Sequence, residues 1–193
     1  MFVHLRLHSE FSVVDGTIRL DEVVEAAAAD GQPALGLTDL SNLFGAIKFY
    51  KAARGAGVKP VLGAEVFVHG LGPDVAPGAS VQQQSLPRML LLVQSHQGYL
   101  NLCELLSRAW TRNMLRDQTA IKWEWLQELS EGLILLSGAH SGPVGLALLA
   151  GDEARAAELA QQLAAAFPQR FYLELQRAGR PDDERQVVGA VQI

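Results

Sequence analysis

The 193-residue sequence has a single cysteine, Cys103, which excludes an internal disulfide framework and a multi-cysteine zinc site and fits a reducing compartment. Its setting, Leu102-Cys103-Glu104-Leu105-Leu106, is that of a buried helix thiol. Long apolar runs are also missing. From Met1 to His8 the apolar residues are interrupted at every second position, so no signal-peptide core forms. No run approaches the roughly 18 residues of a membrane span. A cytoplasmic location and no membrane partner are expected. Positive charge is scarce, with 16 Lys and Arg against 21 Asp and Glu for a formal net charge of −5, and it is scattered. A protein that grips nucleic acid by itself needs a basic stripe, and there is none. The strand-to-helix glycine loop of a dinucleotide site is absent too: Gly55-Ala56-Gly57 follows a helix and precedes a strand, which makes it a helix stop. Ser137 and His140 lie close together without a Gly-x-Ser-x-Gly elbow. With no basic groove beside them, Trp110, Trp123 and Trp125 read as core and interface anchors and not as base-stacking platforms.

What is present is the profile of one globular domain: 49% apolar residues and 19% charged. Short runs rich in Val, Ile and Leu alternate with segments of helical period, the pattern of an α/β fold with a mostly parallel sheet. Strands are predicted at residues 2–7, 34–38, 60–68, 89–93, 133–137 and 171–175. Helices are predicted at 20–29, 42–56, 98–110, 123–129 and 153–167. Residues 69–85, rich in Gly, Pro, Ser and Gln, read as a long surface loop, and residues 111–120 as a polar connector. A last helix opens at Pro181-Asp182-Asp183-Glu184 without a stop signal, so the chain is expected to end inside a domain.

Polar residues gather near the strand ends. If residues 2–8 form a strand, His4, Arg6 and His8 project to one face and Val3, Leu5 and Leu7 to the other. That face is either a metal or phosphate site or simply the wet side of an edge strand. Asp15 sits in a turn, Asp39 follows the second strand, and Glu65 lies in the third. Carboxylates near the ends of successive strands converge on one rim. The plainer alternative is that Asp39 caps the next helix and Asp15 closes an Asx turn.

Several ordered segments then carry a resemblance. His4-Leu5-Arg6-Leu7-His8-Ser9-Glu10-Phe11-Ser12-Val13-Val14-Asp15-Gly16, Gly36-Leu37-Thr38-Asp39-Leu40-Ser41-Asn42-Leu43-Phe44-Gly45 and Gly57-Val58-Lys59-Pro60-Val61-Leu62-Gly63-Ala64-Glu65 resemble the opening of the polymerase and histidinol phosphatase (PHP) domains that begin the alpha subunits of bacterial DNA polymerase III. The likeness continues through Gly98-Tyr99-Leu100-Asn101-Leu102, Glu131-Gly132-Leu133-Ile134-Leu135-Leu136-Ser137-Gly138 and Phe171-Tyr172-Leu173-Glu174-Leu175. It covers essentially the whole chain.

The resemblance implies a distorted (β/α)7 barrel, truncated on its C-terminal side, so that residues 1–193 are an incomplete PHP domain. Intact members hold up to three metal ions at the strand ends and hydrolyse phosphoesters. Against their pattern, His8, Asp15 and Glu65 match ligand positions. Arg6, Leu40 and, less securely aligned, Arg88 and Ala139 stand where ligands are lost. Leucine has no donor atom, and a guanidinium is a permanent cation with no lone pair, so Arg6 repels a divalent ion. The expectation is therefore a site without metal, in which arginine stands in for it and balances the carboxylates, and no catalytic residue in the chain. By resemblance the parent is a DNA-directed DNA polymerase using Mg2+ held elsewhere. Its implied partners are the proofreading exonuclease subunit, other replicase subunits and primer-template DNA. The domain's implied role is to brace the polymerase and dock the exonuclease. The competing expectation is a surviving metal-dependent phosphoesterase, an intrinsic 3'-5' proofreading exonuclease.

Overall fold

The organising element of the computed structural model, which describes residues 2–71, 86–115 and 118–193, is one long strand, β2 (Lys59–His69). Its sequence alternates small and apolar residues so that Ala64, Val66 and Val68 enter the main core, while Val61, Glu65 and Phe67 are spaced to fall on the opposite face. Strand β1 (Ala34–Leu37) runs parallel along residues 59–62 of β2. The chain after β1 stays alongside as far as a parallel bridge between Leu40 and Glu65. Strand β3 (Arg88–Val93) is antiparallel to β2 on the other side. Met89 and Leu91 join the main core, whereas Leu90 and Leu92 pack with Val61, Ile134 and Leu136 on the opposite face. A strand buried on both faces reads as a continuous apolar run, and Met89-Leu90-Leu91-Leu92-Val93 is one.

The sheet continues as β6 (Leu133–Leu136), antiparallel to β3, and β7 (Phe171–Tyr172), parallel to β6. On the other side β5 (Gln118–Lys122) runs parallel to residues 67–69 of β2, and β4 (Met114–Leu115) is antiparallel to β5. Among the described residues the expected mostly parallel sheet is thus a mixed one of seven strands, in the order β4-β5-β2-β3-β6-β7 with β1 branching from β2. The polar segment expected to be a connector supplies the two extra strands. In β5 the residues Thr119, Ala120 and Ile121 are buried, and Asn113 Nδ2 donates to the Ala120 carbonyl. Of the expected loop at 69–85, residues 72–85 lie outside the described residues; Leu71, just before them, is buried in the main core.

Among the described residues seven helices surround the sheet or pack on one another. Helix α1 (Leu20–Ala29) matches its sequence pattern end to end. With α2 (Ala46–Gly55) it closes a small core of Leu20, Val24, Leu35, Leu37, Phe49, Ala53 and Val58. Helix α2 starts later than expected because residues 41–45 form a polar turn held by Asn42. Helix α3 (His96–Arg112) is capped by Ser95, whose hydroxyl accepts the Gly98 N–H. Helices α4 (Trp123–Glu128) and α6 (Glu153–Ala166) lie where expected, and α7 spans Asp183–Gln192. Helix α5 (Pro143–Ala150), begun by Pro143 and ended by Gly151 at φ 81°, has no counterpart in the sequence reading.

The N-terminal segment is the other departure. Residues 2–8 lie along β1 through Gly36 N–H to the His4 carbonyl and Thr38 N–H to the Leu7 carbonyl, yet they form no regular strand. Two residues of β1 span three of this segment. The Leu7 N–H turns aside to the Thr38 hydroxyl, which breaks the ladder as a bulge does. His4 consequently leaves the face predicted for it. It is exposed and packs edge-on against Phe2, with ring centroids 4.6 Å apart, while Arg6 and His8 stay together.

Candidate functional site

Glu65 is the site's centre. The alternation of β2 directs it to the face opposite the main core, and it is buried. Both of its oxygens are engaged. Oε1 accepts Arg6 Nη1–H at 2.7 Å, and Oε2 lies 2.8 Å from His8 Nε2, an approach too bent for an aligned hydrogen bond. Arg6 spends its remaining fork on Glu174, with Nε to Oε1 at 2.7 Å and Nη2 to Oε2 at 2.9 Å. This is the paired geometry that guanidinium and carboxylate favour. Glu174 follows β7, and its own N–H donates to the Ser137 hydroxyl at the end of β6.

The other half is built on the turn after residue 8. Asp15 receives the Ser12 hydroxyl at 2.7 Å and faces His8 Nδ1 at 3.0 Å. Arg88 comes from the same face of β3 as Leu90, with Nη1 3.6 Å from Asp15 Oδ2 and its guanidinium 4.8 Å from the Phe67 ring centre. Asp39 caps no helix, because α2 begins seven residues later. It is buried and accepts both the N–H and the hydroxyl of Ser9, at 2.6 and 2.9 Å. Burial pushes its carboxyl up, against the pull of those two donors.

The structure therefore brings Arg6, His8, Asp15, Glu65 and Arg88 together. Leu40 borders them through its backbone, bridged to Glu65 and with its N–H on the Ser12 hydroxyl. Ala139 is buried in a single 3-10 turn, Ala139–Ser141, at φ 46°, and offers only a methyl group. His140 beside it meets Arg180 Nη1 at 2.9 Å; burial, Arg180 and Arg6 hold its pKa down. Glu174 is the participant the sequence reading passed over. Its signal was a carboxylate just past a strand, on the same rim as Glu65.

Electrostatically the cluster is closed on itself. Burial disfavours a charged Glu65, but His8 and Arg6 outweigh it and hold the carboxyl at about 2. Burial likewise opposes a charged His8, and Glu65 and Asp15 overcome it and raise its pKa. Arg6, Arg88 and protonated His8 then stand against Asp15, Glu65 and Glu174, three charges of each sign. His8, Asp15 and Glu65 each offer an atom within 4.8 Å of the others, a spacing that by itself suits a metal ion. The chemistry of the donor set does not fit one. Arg6, a permanent cation with no lone pair, already holds Glu65 Oε1 and both Glu174 oxygens, so a divalent ion there would be set against it.

The profile of the PHP domain matches residues 4–178. The chain belongs to the PHP family. Its relatives include DNA polymerase III subunit alpha of Pseudomonas fluorescens, 45% identical over 98% of this chain, and that of Escherichia coli K12, 42% identical over all of it. The corresponding subunit of Neisseria meningitidis is 44% identical. This PHP chain spans 15–16% of the length of these relatives. A solved candidate metal-dependent phosphoesterase from Bifidobacterium adolescentis aligns with 98% of this chain and 83% of its own, at 15% identity and TM-score 0.48, too low to bear on the fold. Among the described residues no helix is long and apolar enough to cross a membrane.

Proposed function

We propose that this PHP domain is the N-terminal part of a DNA polymerase III alpha subunit, working in the cytoplasm, and that it is a non-catalytic structural module and docking site for the proofreading exonuclease subunit. The observation that carries the reading is Arg6, whose three donated hydrogen bonds tie the N-terminal segment to β2 through Glu65 and to the chain after β7 through Glu174. On this view a permanent cation, bound to the two carboxylates Glu65 and Glu174, does the joining that a divalent ion does in an intact site. In this reading the remainder of the longer subunit completes the domain into a closed, distorted barrel. The Mg2+ of DNA synthesis, the primer-template DNA and the other replicase subunits belong to that remainder. No reaction step is assigned to the residues of the cluster.

The spacing of His8, Asp15 and Glu65 favours one second reading, a metal-dependent phosphoesterase acting as an intrinsic 3'-5' exonuclease. Elemental analysis of the full-length subunit after dialysis without chelator, paired with a nuclease assay lacking the exonuclease subunit, separates the two. Polymerase-site Mg2+ exchanges freely on dialysis, so zinc and manganese are the ions to count. Well below one per chain, with no exonuclease activity, is expected. Two or three tightly held ions with nuclease activity would establish the second reading instead.

A further inference from the structure

The outer surface carries an apolar face that neither the core nor the charge cluster requires. Helix α2 buries Ala46, Phe49 and Ala53 against α1 and β1, which leaves Ile47, Tyr50, Lys51 and Arg54 along its outer side, with Phe44 exposed in the turn just before it. Phe44 and Ile47 are 68% and 70% exposed. The base of this face is held firmly. Asn42 accepts the Phe44 N–H and donates to the carbonyls of Phe11 and Leu40. Ser41, three residues before Phe44, sits at φ 56°, and its carbonyl accepts the Trp110 indole N–H at 2.8 Å, which fixes the indole while leaving about half of it exposed. Large aromatic side chains already locked in place are the usual anchors of protein interfaces, because little ordering cost remains on binding.

The charges on α2 are divided. Lys48 turns toward Glu10 and Asp21, at 3.3 and 3.1 Å, whereas Lys51 and Arg54 pair with no carboxylate among the described residues. The face thus has an apolar, aromatic half at the start of the helix and a cationic half at its end. A second copy of the chain is a poor occupant, since α2 carries no carboxylate of its own to meet Lys51 and Arg54.

We propose that this face docks a segment of a partner protein in which apolar side chains are followed by carboxylates, the apolar part over Phe44, Ile47 and Trp110 and the carboxylates against Lys51 and Arg54. The inference rests on the docking reading above and gives that docking a place and a polarity. The test uses the full-length alpha subunit and its cognate purified exonuclease subunit as probe, with affinity measured at several salt concentrations. Ile47→Asp weakens binding by at least tenfold. The pair Lys51→Glu and Arg54→Glu weakens it several-fold and flattens its salt dependence. Both leave the melting temperature of the isolated subunit unchanged, because the positions are exposed. Equal affinity for wild type and variants would overturn the placement on α2 and leave the docking reading standing. If the wild-type subunit does not bind the exonuclease at all, the docking reading fails and this inference with it. A lower melting temperature for Ile47→Asp without the exonuclease would mean that the subunit's own chain covers the face, which also overturns the proposal.

Discussion

Two arginines in this domain make the same three bonds. Arg6 donates through Nε and Nη2 to one glutamate and through Nη1 to another. Arg108 on α3 donates through Nη1 and Nη2 to Glu128 and through Nε to Glu104. Their distances overlap, from 2.7 to 2.9 Å in the first case and 2.8 to 3.2 Å in the second. What differs is the surroundings. Glu65 and Glu174 are 2% and 14% exposed, whereas Glu104 and Glu128 are 49% and 55% exposed. Water replaces a lost partner readily for the surface glutamates and poorly for buried Glu65, so similar geometry carries very different consequences. The pairs also differ in what they join: Arg108 links neighbours across α3 and α4, while Arg6 links residues 59 and 168 positions away in sequence.

The comparison breaks most sharply at Arg6→Ala. It leaves Glu65 buried with only His8 beside it, and removing one member of a buried pair costs about 3–5 kcal/mol. Chemical denaturation of the full-length subunit should show this in the transition of the PHP domain, and a change below about 1 kcal/mol would mean that water reaches Glu65 freely. Arg6→Lys sharpens the point. The charge stays, but an ammonium cannot hold two carboxylates with a paired fork on one of them, so roughly half of the loss is expected in the same measurement.

The sequence showed much of this arrangement and missed identifiable parts of it. The end-to-end match of α1, the apolar runs of β2 and β3, and the grouping of Arg6, His8, Asp15, Glu65 and Arg88 all follow from periodicity or from the family pattern. Helix α5 was missed because Pro143-Val144-Gly145-Leu146-Ala147-Leu148-Leu149-Ala150 is apolar on nearly every side; wedged against α6 and α7, it has no polar face to reveal a helical period. Strand β5 was missed because Gln118-Thr119-Ala120 looks polar, although its threonine is buried. His4 was misplaced because alternation assumes an unbroken ladder, and the Thr38 hydroxyl interrupts it. Glu174 comes from residues far along the chain, and its pairing with Arg6 depends on tertiary closure that no local pattern records.

Smaller than either substitution is the response to pH, and its sign differs at the two ends. Glu65 is held at about 2, below its ordinary value of 4.5, so its contribution is full above that ordinary value and fades as pH falls toward 2. His8 is shifted upward from 6.5, so its contribution is full below 6.5 and is lost as pH rises through its raised value. The Arg6, His8 and Glu65 cluster should thus contribute most between about pH 4.5 and 6.5, and its contribution should fall on the alkaline side. In His8→Gln that alkaline loss should disappear while the acid limb remains. Melting temperatures recorded from pH 4 to 9 test this, and a wild-type alkaline slope that survives in His8→Gln would assign it to another group.

Arg108→Ala should do least. The substitution removes as many hydrogen bonds as Arg6→Ala does, yet both glutamates released are exposed and regain water at once. No resolvable change in melting temperature is expected in 0.15 M salt, where charges on the surface are screened over about 8 Å. A loss matching that of Arg6→Ala would show that bond count, and not burial, sets the strength of these clusters. It would remove the reason for regarding the Arg6 cluster as the fastening that took over from a metal ion.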